Sequence, residues 1–181
     1  MIKPTQALEA HADDGALLLA AIRAHPLELT AQLAYRDWAD EHPERVRAMI
    51  AAAAAELPDL TAFGVGMYHD RTRTVTATCP PERWRERFDH ERAALLGCQS
   101  GFAAAMAWLA TRGRRATADA ARDSYGYKHD VERAWEATPH PVYVANGELI
   151  AAAVASGVVW KRVPFSPNVT LGVSRRPPRP R

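Results

Sequence analysis

Cysteine is nearly missing from this chain. Cys79 and Cys98 are the only two in 181 residues, and no second Cys or His stands beside either at metal-ligand spacing. A bond between the two stays open, but two lone thiols in a chain of this size fit a reducing compartment, so the expected location is the cytoplasm. Long apolar runs are missing too. No run reaches the ~18 residues that a membrane span requires, and the Ala-rich stretches are short and interrupted. The opening MIKPTQALEAHADDG has no basic region followed by an apolar one, so no secretory signal is expected. The motifs HExxH, CxxC, GxSxG and GKS/T do not occur. Gly64-Val65-Gly66 is no phosphate loop, because no Lys-Ser/Thr follows and the fingerprint is incomplete. The expectation is therefore no metal, no cofactor and no membrane partner, and an enzyme is the less favoured class.

What is present is ordinary in amount and uneven in placement. The chain is 48% hydrophobic and 24% charged, which is typical of globular proteins. Much of the apolar share is alanine, which favours helix. The length fits one domain or two small ones, with a core that needs no staples. The net charge of +2 hides an asymmetry. Residues 1–60 carry five Lys/Arg against ten Asp/Glu, and residues 112–181 carry twelve against six. A basic end fits an anionic partner, or it fits attraction between the two ends or between copies.

Helical periodicity dominates the first third. Leu17, Leu18, Leu19 and Ile22 open one helix, which Pro26 ends. Leu29, Leu33 and Trp38 mark a second. Val46, Met49, Ile50, Ala53 and Leu57 form the apolar stripe of a third, stopped by Pro58. Two β-prone runs, 62–68 and 73–79, flank the turn His69-Asp70-Arg71-Thr72 and predict a hairpin. Leu95, Cys98, Phe102, Met106 and Leu109 lie on one face of a long core helix, with Gly97 and Gly101 permitting a break. The charges of ERWRERFDHER read as a solvated face, with Arg83, Arg85, Arg87 and Arg92 as weaker phosphate ligands.

Residues 112–123 read as an exposed linker or weakly packed helix. Asp123 or Ser124 would cap the next helix, whose buried face is Tyr127, Val131 and Trp135. Asn146 would cap a further helix, 147–156, burying Leu149, Ile150, Ala153 and Val154. VVWKRV and VTLGVS then flank Phe165-Ser166-Pro167-Asn168 as a second hairpin. The arginine- and proline-rich end, 176–181, has no apolar face to pack. The fold class is α+β and mostly helical: N-terminal helices, a hairpin, a long core helix, then two helices and a C-terminal β-hairpin, a winged-helix-like order. The segments divide as 1–60, 61–113, 114–175 and 176–181.

Two stretches resemble known modules. Ala21, Ile22, Pro26, Leu33, Tyr35, Asp37, Trp38 and Glu41 resemble the repeat-companion domain of planctomycete proteins over residues 16–50. Arg36 stands where that family usually has Ala, and Ala39 where it has Leu. The resemblance implies a bacterial source and a helical module without an established activity. Ser124, Tyr125, Gly126, Lys128, His129, Glu132, Tyr143, Asn146, Gly147, Ile150, Gly157, Pro167 and Asn168 resemble an uncharacterised module of bacterial and phage-associated proteins over residues 124–174. Ala145 replaces its usual Ser or Thr, and Leu171-Gly172 its usual Phe-Asn. By analogy alone, the second resemblance implies a regulator or an accessory of a phage-defence or mobile-element system.

Three functional readings follow. In the first, Arg112, Arg114, Arg115, Lys128, Lys161, Arg162, Arg175, Arg176, Arg179 and Arg181 neutralise the phosphates of DNA or RNA. A winged-helix version would offer 147–156 to a groove, but GELIAAAVAS carries almost nothing able to read a base edge. The connection from Trp135 to Asn146 is also too long for a helix-turn-helix. In the second, the chain contacts a protein partner or inhibits one without touching nucleic acid. In the third, His129 and Glu132, three residues apart on one helix face, do acid–base work with help from Tyr125 or Ser124. Against the third stands a simpler role, in which this polar group fixes the helix start and the loop carrying Tyr143 and Asn146.

Overall fold

The computed structural model describes residues 4–66 and 81–176. Three helices come first: α1 (Pro4–Ala24), α2 (Leu29–Glu41) and α3 (Pro43–Glu56). Pro43 stands in the first turn of α3, where its missing N–H costs nothing. The predicted stripe of α3 is the buried one: Val46, Ile50, Ala53 and the following Leu57 are all in the core. A small antiparallel pair follows, β1 (Leu60–Thr61) with β2 (Gly64–Val65).

The chain turns at Ala62-Phe63, where the first predicted β-prone run begins; residues 67–80, with the rest of that run, its turn and the second run, lie outside the described residues. The long core helix is corrected. It is two helices, α4 (Pro81–Gly97) and α5 (Ser100–Ala110), bent by 64° at Cys98-Gln99. The reason is burial. Helix α5 is enclosed on every side, and a straight continuation would carry the charged ERWRERFDHER sequence of α4 into the core. Arg92 of α4, a weak phosphate candidate, is occupied structurally. Its guanidinium donates to the carbonyls of Ala54, Leu57 and Leu60, closing the C-terminal end of α3.

The remaining elements are α6 (Ser124–Glu136), α7 (Asn146–Ala155), β3 (Trp160–Arg162) and β4 (Val169–Leu171). The second hairpin forms as expected, pairing Trp160 with Leu171, Lys161 with Thr170 and Arg162 with Val169. On the other edge of β4 runs segment 113–123. Arg114 bridges to Val173 and Asp123 to Thr170. The expected linker is thus exposed in side chains but laced by its backbone.

Helix α7 sits at the centre, against α3, α5 and α6. Residues 146–153 are buried. Offering this helix to a nucleic-acid groove is therefore excluded, although the helix–helix–hairpin order is present. Close packing here needs glycine at two places. A Cβ on Gly147 would strike the Thr61 carbonyl of the first hairpin, and one on Gly101 would strike the Glu148 carboxylate. One core runs from Leu19 to Val173, with residues from the segments 1–60, 61–113 and 114–175. Arg36, buried in α2, lies over the Trp135 ring of α6 at 5.1 Å and ties the first segment to the third. Among the described residues no single helix is long and apolar enough to cross a membrane.

Candidate functional site

Two regions gather the predicted residues. The first is a strip of arginines. The backbone lacing of 113–123 along β4 brings residues 112–115 beside residues 175–176. Arg115 N donates to Gly172 O at 2.9 Å, and Ser174 N donates to Gly113 O at 2.8 Å. The Arg112 guanidinium stacks over Trp108 at 4.1 Å and donates to the Arg175 carbonyl. Arg114 donates to the Ser156 carbonyl at 2.9 Å, at the C-terminal end of α7 where a cation is favoured. Arg115 and Arg175 share one carboxylate, Asp119, at 3.1 and 3.0 Å. The Ala121 N–H and the Arg175 hydrogen bond hold the Asp119 carboxyl below its usual range. Arg115, Asp119, Ser174, Arg175 and Arg176 line an open depression of about 550 Å³.

Five of the ten expected cations therefore come together: Arg112, Arg114, Arg115, Arg175 and Arg176. Arg162 does not join them, because it makes a two-point ion pair with Asp59, both contacts at 2.6 Å. Lys161 is exposed on β3. Lys128 is buried in the second region, and Arg179 and Arg181 lie outside the described residues. The sequence reading missed Arg23 of α1. It is close enough to add to the effect of burial in lowering the Arg114 pKa.

The second region is a cleft of about 700 Å³ between α6 and residues 141–143. Asp123 starts α6 by accepting the Gly126 N–H at 3.0 Å. Glu132 then organises the cleft. Its Oε1 accepts from Lys128 Nζ at 2.9 Å and from the Val144 N–H at 3.1 Å, and its Oε2 faces His129 Nδ1 at 2.7 Å. Burial alone would raise the Glu132 pKa, but these donors together hold it below the ordinary value. Because the carboxylate is the acceptor, Nδ1 of His129 carries the proton in this contact. Both Glu132 oxygens are engaged, and none of the residues lining the cleft is a Ser, Thr or Cys that would serve as nucleophile.

The motif residues divide between the two roles. Ser124 accepts the Val169 N–H, and Asn168 donates to Asp123 at 2.6 Å. Asn146 is the first residue of α7 and not its cap; its amide donates to Phe63 O, Pro167 O and Asn168 Oδ1. These three stitch the hairpins to the helices. Tyr125 and Tyr143 are free of that work and stand exposed beside the cleft.

One residue escaped the sequence reading altogether. Glu148 is buried, and its carboxylate accepts the Ala145 N–H at 2.5 Å. Burial pushes its pKa up to about 7. The signal for it was half erased. Ser or Thr at 145 with Glu at 148 would spell a capping box, and Ala145 removes the first half. Among the described residues no three His, Cys, Asp or Glu side chains come together as metal ligands. Comparison with family models, with curated proteins and with solved structures gives no match.

Proposed function

We propose that this chain is a cytoplasmic binding protein that grips the phosphates of a nucleic acid through the arginine strip. One observation carries the reading. Arg115 is brought against Arg175 and Arg176 from about 60 residues away, and the depression that these three line holds one carboxylate, Asp119, with Arg112 and Arg114 on the flanking backbone. Guanidinium groups with donors to spare in an open depression suit phosphate oxygens. The enclosure of α7 removes the obvious route to base-edge readout, so affinity would come from phosphates, with weak dependence on sequence.

The test is retention of mixed-sequence DNA and RNA as salt is varied. Binding is expected at low salt, falling steeply as salt rises. Arg115→Ala and Arg175→Ala should each reduce the slope of log affinity against log salt by about 1. Arg162→Ala, whose side chain is spent on Asp59, should leave that slope unchanged. Failure to retain either nucleic acid at low salt, or a slope indifferent to Arg115 and Arg175, would sink the reading.

A further inference from the structure

The cleft under α6 is built on a different plan from the arginine strip. Its charges cancel: Lys128 and Arg133 face Glu132 and Glu136. Lys128 is bonded to Glu132, and Arg133 reaches Asp130 at 3.3 Å. A phosphate would find little there. What the cleft presents is aromatic surface: Tyr143, in its lining, is 74% exposed, and Tyr125, beside it, 53%. Both rings are held in place. The Lys128 ammonium lies over the Tyr143 ring, 4.7 Å from its centre, while the residue as a whole stays largely exposed. Tyr125 meets the His129 ring edge-on at 4.8 Å and Lys128 at 5.5 Å. Glu132 fixes the loop behind Tyr143 through the Val144 N–H. The cleft volume of about 700 Å³ lies within the range that holds small ligands. The Glu136 carboxylate adds hydrogen-bond acceptors to the lining.

A neutral, aromatic-walled cleft with acceptors at its edge suits a flat, uncharged heterocycle. Helix α6 joins this cleft to the arginine strip. Asp123, beside its first residue, pairs with Thr170 on the laced edge of β4, and Tyr125 follows two residues later. The geometry points to Tyr125 and Tyr143 as a stacking platform for unpaired bases of the nucleic acid whose phosphates the arginines hold. The ligand is then single-stranded, because bases in a duplex are stacked on one another and offer no free face. This rests on the arginine reading of the previous subsection.

Fluorescence anisotropy of the full chain with labelled strands of equal length tests it. The strands are a mixed-sequence single strand, a single strand made of abasic sites, and a duplex. The base-bearing single strand should bind about tenfold more tightly than the abasic one. Tyr125→Ala and Tyr143→Ala should each remove most of that advantage while the salt slope stays as it was, and Tyr143→Phe should keep it. Both rings are largely exposed, so the variants should show unchanged circular dichroism. Equal affinity for base-bearing and abasic strands, with a steep salt slope, overturns the platform and leaves the arginine reading standing. So does a Tyr143→Ala variant that weakens both strands alike. Retention of no strand at all overturns both.

Discussion

Glu148 stands where two helices begin. Its carboxylate lies against Gly101 and is also bonded to the Phe102 N–H at the start of α5, and it accepts Ala145 N–H at the start of α7. Two helix N-termini favour the charged form, yet burial outweighs them and places the pKa at about 7. The stability consequence has a definite sign. Below about pH 4.5 the carboxyl is protonated in both the folded and the unfolded chain, and no penalty arises. As pH rises, the unfolded chain loses this proton first, and stability falls until the folded pKa is passed. The expected loss is about 3 kcal/mol between about pH 5 and pH 8. In Glu148→Gln that loss should vanish, so the gap in urea midpoint between the two proteins should change across this range. Parallel pH profiles would show that Glu148 titrates like an exposed carboxyl. Taking the difference between the two proteins cancels the histidines. A second contrast uses two glycines. Gly101→Ala forces a methyl group into the Glu148 carboxylate and should cost about 1–3 kcal/mol. Gly97, which has open space around it at the end of α4, should accept Ala with no loss in thermal midpoint.

At the level of elements, regular periodicity was readable and irregular backbone was not. The stripe of α3 and the Tyr127, Val131 and Trp135 face of α6 are visible as spacing, and both are buried. Periodicity senses which face is apolar, so it works wherever one face meets the core. It fails at α4 and α5. Leu95 through Leu109 keep one phase across the break, so the pattern alone shows a single helix. Gly97 permits a break and α4 ends there, but the bend itself comes with a change in surroundings, from half-solvated to fully enclosed. The turn at Ala62-Phe63 was missed for a related reason. It is held from outside, with Gly147 N donating to Ala62 O and the Asn146 amide donating to Phe63 O. β3 shows the reverse, a cation taken for a ligand contact but spent internally. The Arg162–Asp59 pair is partly solvated, so Arg162→Ala should cost no more than about 1 kcal/mol in stability.

For the whole molecule, residues of the segments 1–60, 61–113 and 114–175 share one core. Helix α7, from the C-terminal third, packs on α3 and α5, and Arg36 of α2 lies on Trp135 of α6. A shared core predicts one cooperative unfolding transition. Far-UV circular dichroism and tryptophan fluorescence, the latter reporting on all five tryptophans, Trp38, Trp108 and Trp135 of three different helices among them, should give coincident denaturation curves. Two resolved transitions would show that the N-terminal helices fold apart from the rest.

The sequence by itself determined the mostly helical α+β class, most helix positions, the second hairpin and the excess of positive charge toward the end of the chain. All of these follow from local spacing and composition. Only the tertiary structure decided which charges are spent and which are offered. Arg92, Arg162 and Lys128 look no different in sequence from Arg115 and Arg175. Three of them found carbonyls or a carboxylate of their own, while the other two crowd onto Asp119 in an open depression. Such pairings join residues as many as 103 positions apart. Long-range pairing depends on how helices pack, and helix packing is set by the shape of the whole core.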